Sequence, residues 1–189
     1  MKLKSYQENL SKIYIVEYKN TINKDLSNEI LKLQELVNET KSLNSKVIIS
    51  VNGRSSSIAR HISIDLTKQA KIRILNFNED NLITFFSNNF RYENWLLKSI
   101  EYYSDRNDLI ILISSKGKSG NMFNASKFIK IKKMKLIKFT FFNINNLLKK
   151  ISDLNFWVNS KFYNIIENTH QIWLTILYDL IVGKRENTA

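Results

Sequence analysis

The chain has two histidines, and each stands near a carboxylate at a spacing that a helix turns into a shared face. His61 and Asp65 are four apart, Glu167 and His170 three apart, and either spacing sets the pair side by side on a helix. If the two pairs faced one another they would offer two imidazoles and two carboxylates, a donor set that Zn²⁺ or a related divalent ion accepts. Each is also readable as a surface ion pair worth roughly a few tenths of a kcal/mol. Spacing alone favours that blander reading and does not show that the helices meet.

A second kind of chemistry sits at the glycines. The chain has only four. Gly53 follows one apolar run, Gly117 and Gly120 follow another, and Gly183 lies near the end. Both of the first two turns are rich in hydroxyls: RSSS at 54–57 and SSKGKSGN at 114–121. Backbone N–H groups and serine hydroxyls feeding into a helix N-terminus suit a phosphate, and Lys116 and Lys118 add positive charge at the second loop. Serine and glycine are also what ordinary turns and helix caps use. Neither loop has the Walker A or dinucleotide-binding pattern, so a nucleotide is not expected.

These loops need rigid elements to hold them. Residues 1–20 and 24–41 carry apolar positions at helical spacing, including Leu26, Ile30, Leu33, Leu36 and Val37, and predict two amphipathic helices. KVIISV at 46–51 reads as a buried strand ending at Asn52-Gly53, and 55–68 as a helix. LITFF at 82–86 is expected to be the second strand and 90–103 a helix. LIILIS at 109–114 is uniformly apolar, as a strand covered on both faces should be. A helix over 119–133, strands at 136–142 and 154–158, and an apolar helix over 162–182 complete the order. Strand alternating with helix predicts an α/β fold, a doubly wound parallel sheet of five strands flanked by helices. Ligands of such sheets bind beyond the carboxyl ends of the strands, which is where both serine loops fall.

Length and composition bound the rest. At 189 residues, 43% hydrophobic and 12% aromatic, the chain is read as one globular domain. Residues 1–45 form its N-terminal helices, 46–160 the parallel core and 161–184 the terminal helix. Zero cysteines exclude disulfides and thiolate metal sites. No apolar run approaches 18 residues and no secretory leader is visible, so a cytoplasmic protein with no membrane partner is expected. The net charge of +12 is spread over the whole length. With no basic block or recognised nucleic-acid motif, an anionic small substrate accounts for it better than nucleic acid.

Taken in order, the motifs resemble the sugar isomerase (SIS) domain family, and within it the phosphoheptose isomerase group. VNGRSSSIARHISIDL at 51–66 is similar to that family's GNGGSxxxAxHxxxEL, and SNNFRYENWL at 87–96 to SNDxxxExxF. DLIILISSKGKSGNMFNA at 108–125 is similar to DVLxxISTSGNSxNVxxA, and ENTHQIWLTILYDLI at 167–181 to QExHxxxxHxLCDLI without a gap. Order and spacing hold across about residues 30–182, and the N-terminal helical pair also matches.

The resemblance implies a flavodoxin-like three-layer SIS fold. It also implies an aldose–ketose isomerase that interconverts sedoheptulose 7-phosphate and a heptose 7-phosphate, toward surface-polysaccharide heptose. By the same match, Ser55, Ser114, Ser115 and Ser119 hold the sugar phosphate, and Asn52, Gly53, Asn89, Lys116 and Glu167 contact the substrate. A zinc ion is implied on His61, Asp65, Glu167 and His170, with Asp65 and His170 moving the proton between C1 and C2. Family sites form between subunits, so a homo-oligomer, a tetramer, is implied. Other relatives bind a phosphosugar or a protein partner, the replication initiator among them, without catalysis, and that is the alternative reading here. The departures from the pattern are Val51, Arg54, Asp65, Asn89, Lys116, Lys118 and Glu167, together with FNINNLLKK at 142–150 in place of a glycine-rich segment.

Overall fold

The computed structural model describes residues 2–114, 119–141 and 150–183, with side chains from Tyr6 onward. Two helices, α1 (Lys2–Ile22) and α2 (Ser27–Ser42), precede β1 (Lys46–Val51). A short turn over Gly53–Ser55 leads into α3 (Ser56–Lys68), then β2 (Arg73–Asn76), α4 (Asp80–Phe90) and α5 (Trp95–Tyr103). β3 (Leu109–Ile113), α6 (Gly120–Ile131), β4 (Lys135–Phe141), β5 (Leu154–Val158) and α7 (Tyr163–Val182) follow. Ser115, Lys116, Gly117, Lys118, the segment 142–149 and residue 184 lie outside the described residues.

The strands form one parallel sheet in the order β2-β1-β3-β4-β5. β1 and β3 lie at its centre, and their side chains alternate between two separate cores. Val47, Ile49, Val51, Ile111 and Ile113 pack with α2, α3 and α7 residues, while Ile48, Ile110 and Leu112 pack with those of α4, α5 and α6. Each fully buried aliphatic side chain of this kind contributes about 1.5–3 kcal/mol relative to exposure, which is why the unbroken apolar runs settle in mid-sheet. The chain leaves β1 and β3 toward opposite faces. The crevice between their carboxyl ends is therefore the topological switch point of the sheet.

LITFF is not a strand. Residues 82–86 lie inside α4, where Leu82, Ile83, Phe86 and Phe90 share one face against the second core while Phe85 is exposed. Positions spaced one, four and eight apart fit a helical face, and a five-residue apolar run cannot by itself separate the two periods. The second strand is Arg73–Asn76 instead, an edge strand paired only with β1 and less buried than the rest. The helix expected over 90–103 is likewise divided: α4 stops at Phe90, Arg91 adopts φ +66, and α5 starts at Trp95.

Candidate functional site at the β1–β3 crevice

Asn52 leaves β1 in extended conformation and Gly53 turns at φ +74, the left-handed region where a side chain would be strained. This places Asn52 opposite Asn121, in the first turn of α6. The two side-chain amides bond reciprocally, Asn52 Nδ2 to Asn121 Oδ1 at 3.0 Å and Asn121 Nδ2 to Asn52 Oδ1 at 2.8 Å. Buried Asn78 secures the end of β1, accepting from the Val51 N–H at 3.0 Å and donating to the Val51 carbonyl at 2.6 Å. Two buried hydroxyls, Ser50 Oγ in β1 and Ser114 Oγ just after β3, have no hydrogen-bond partner among the described residues. Ser114 is one of the residues expected to hold phosphate. Ser119 caps the start of α6 in extended conformation, its carbonyl accepting from the Phe123 N–H at 3.0 Å. Ser115 and Lys116 fall outside the described residues.

The first loop meets the terminal helix. Ser55, nearly buried, donates from Oγ to Glu167 Oε1 at 3.3 Å. Arg54 brings its Nε to 3.9 Å from the same oxygen, and its guanidinium lies 5.9 Å from the centre of the Tyr163 ring. Ser55 and Glu167 thus come together from sequence positions 112 apart. Glu167 places a carboxylate in a loop that was read as an anion site. Arg54, where the resembled pattern has glycine, supplies the neighbouring positive charge.

The four residues read as metal ligands do not converge within the chain. His61 Nε2 and Asp65 Oδ2 are 3.0 Å apart on the outer side of α3, the imidazole 63% exposed and the carboxylate 35%. Glu167 is engaged at the first loop. His170 is 1% exposed, inside the core between α7 and the sheet. Its ring centre lies 5.4 Å from that of Phe139, 5.8 Å from Trp173 and 6.4 Å from Phe141. Burial drives its pKa down to about 3, against a backbone hydrogen bond at Thr140 that pulls the other way. Its Nε2 is buried with no described partner. Among the described residues no group of three or more His, Asp or Glu side chains is placed to hold a metal ion. A zinc site therefore does not fit the described residues of one chain.

Asn89 is exposed and turned back on its own helix, donating to the Phe85 carbonyl at 2.8 Å. The segment after it is tied to α6. Asn124 donates to the Glu93 carbonyl at 3.1 Å and to Asn94 Oδ1 at 3.0 Å.

Sequence reasoning missed Asn78 and Asn121, which position the loop, and Thr175, for which a signal was present. The pattern QExHxxxxHxLCDLI has two histidines; His170 matches the first, and the second falls on Thr175. Thr175 is exposed and donates to the Gln171 carbonyl at 2.9 Å. Five residues on, it lies about 140° around the helix from His170.

No family model matches the chain. Over 183 residues it is 29% identical to a phosphoheptose isomerase of Helicobacter pylori, covering 92% of this chain and 95% of that one. Its fold superposes with a TM-score of 0.82 on the structure of a phosphoheptose isomerase from Francisella tularensis, over 97% of this chain and all of the other, at 19% identity. A phosphoheptose isomerase from Neisseria gonorrhoeae gives 0.83 over 93% of this chain and 99% of the other, also at 19%. In sequence over nearly its whole length, and in the SIS architecture of its sheet, the chain is a homologue of the phosphoheptose isomerases.

Proposed function

We propose that the chain is a sugar-phosphate isomerase that interconverts sedoheptulose 7-phosphate and a heptose 7-phosphate on the way to surface-polysaccharide heptose. The observation that carries this reading is the meeting of Ser55 and Glu167 at the switch-point crevice, in a chain whose relatives are phosphoheptose isomerases.

The phosphate is held at the hydroxyl-rich strand ends, where the Ser114 Oγ is buried with no described partner. A proton then moves between C1 and C2. Asp65, partly exposed and fixed by His61 at 3.0 Å, carries it once a second copy of the chain closes over the outward face of α3. It removes a proton from C1 of the ketose, the C–H electron pair becomes the C1–C2 double bond, and the C2 carbonyl oxygen takes up a proton. Returning a proton to C2 while the C1 hydroxyl loses its own gives the aldose, with no net gain or loss of protons or electrons.

The substrate site is proposed to mature in a homo-oligomer, a tetramer in the resembled family, because His61 and Asp65 face outward. Apolar surface for such a contact is offered by the exposed Leu10, Ile13 and Val16 of α1 and by a groove of about 370 Å³ beside Leu31, Ile176 and Leu180. Among the described residues no helix is long and apolar enough to cross a membrane, and a cytoplasmic location is proposed with the substrate.

The test is incubation of the purified chain with sedoheptulose 7-phosphate, following the aldose product, beside Asp65→Asn. Turnover that the variant loses supports the reading. Absence of turnover in the native chain, with thermal stabilisation by the sugar phosphate, would instead establish the non-catalytic phosphosugar-binding alternative.

A further inference from the structure

From the juxtaposition of Arg54, Ser55 and Glu167 and the sequestering of His170, we infer that this chain dispenses with a resident divalent ion, Arg54 providing the positive charge that Glu167 would otherwise find in a metal. The inference rests on the isomerase reading only for what the site does, not for how it is built. Each candidate donor already has a different environment. His61 and Asp65 satisfy one another at 3.0 Å. The Glu167 carboxylate accepts from Ser55 at 3.3 Å and lies 3.9 Å from Arg54 Nε.

His170 cannot be recruited without opening the core. It is 1% exposed, ringed by Phe139, Phe141 and Trp173. At position 175, where the resembled pattern has its second histidine, a threonine donates to its own helix at 2.9 Å. Across two copies of the chain the accessible donors would be His61 and Asp65, already paired with each other, and Glu167, already held by Ser55 and Arg54, with Thr175 where the resembled pattern has its second histidine. A structural or catalytic zinc site uses ligands drawn from imidazole, thiolate and carboxylate, and a neutral hydroxyl is a poor substitute. The paired departures fit this: a glycine position became Arg54 and a glutamine position became Glu167, a cation and an anion that now sit together.

The test uses the full chain, purified without chelator. Zinc is measured by elemental analysis, and melting temperature is recorded with and without added ZnCl₂, for the native protein and for R54G/T175H. We expect far less than about one zinc per native chain and no rise in melting temperature with zinc, with the double variant gaining both. About one zinc per native chain, removed by EDTA with a fall in melting temperature, overturns the inference, whatever the double variant does. Turnover of sedoheptulose 7-phosphate lost in EDTA and restored by zinc also overturns it, while leaving the isomerase reading intact. A zinc-free chain that turns over no sugar phosphate in either buffer upholds the inference and defeats the isomerase reading.

Discussion

Asn52 and Asn121 bond through both amide groups, at 3.0 and 2.8 Å, across the crevice where the sheet changes direction. Asn121 is almost fully buried, so the pair ties the loop after β1 to the helix after β3 with little solvent competition. Truncating one member leaves the other amide unsatisfied, which costs about 1–3 kcal/mol. Asn121→Ala should lower stability by that amount in urea titration. It should also weaken sugar-phosphate binding, since the two loops lose their fixed separation; calorimetric titration reads that effect independently.

A second tie lies at the opposite end of the strands. The buried Asp108 accepts from the Lys46 N–H at 3.0 Å and the Asp105 N–H at 2.7 Å, and lies 2.7 Å from Lys46 Nζ. Burial pulls the Lys46 amine down, yet hydrogen bonds and charge from Asp105 and Asp108 outweigh it and leave the pKa above its ordinary value. Asp108→Ala leaves the Lys46 ammonium paired with Asp105 at 2.6 Å but strands two backbone donors. A loss of about 1–3 kcal/mol for each stranded donor is expected in chemical denaturation. Sugar-phosphate affinity of the molecules still folded should be unchanged, because the tie is at the far edge of the sheet from the crevice.

The central strands were legible in the sequence because burial on both faces leaves an unbroken apolar run, as in KVIISV and LIILI. The edge strand was not: Arg73–Asn76 is short, half-exposed and paired on one side only, so it has neither the run nor a clean alternation. LITFF had the composition of a strand and the burial of a helix. At the site, His61 with Asp65 followed from four-residue spacing along one helix. The contact of Ser55 with Glu167 was not legible, because the two residues lie 112 apart and on different elements. Spacing could not tell which way α7 faces. Thr169, His170, Trp173, Leu174 and Leu177 are all buried, so His170 shares a turn with Glu167 yet points into a different environment. The Asn52–Asn121 pair, between residues 69 apart, left no local trace.

Lys138 offers a prediction on the alkaline side. It is fully buried in β4, and burial lowers its pKa from 10.5 to about 7. Between those values the unfolded chain holds a proton that the folded chain has released. Stability therefore rises with pH across that window, by about 1.4 kcal/mol per unit from this group. Below pH 7 both states are protonated and the slope from this group vanishes. Lys138→Met should abolish the dependence between pH 7 and 10.5 in urea unfolding. An unchanged slope in the variant would mean that another group titrates there.

His170 governs the acid side with the same sign. Its folded pKa is lowered to about 3 against an ordinary 6.5, so the imidazole stays neutral in the core while the unfolded chain takes up a proton. The contribution is complete above pH 6.5 and is lost as the pH falls toward 3, at about 1.4 kcal/mol per unit. His170→Phe puts an aromatic ring among Phe139, Phe141 and Trp173 and removes the buried Nε2 that has no described partner. It gives up the hydrogen bond at Thr140, worth about 0.5–1.5 kcal/mol. At pH 7 the variant should lie within about 2 kcal/mol of the native chain, the lost hydrogen bond set against relief of a buried polar nitrogen. At pH 5 it should be the more stable of the two, because only the native chain pays to keep an imidazole neutral. Unfolding curves for both proteins at the two pH values decide this, and a native chain that keeps its stability down to pH 5 would place His170 in contact with water or with an anion.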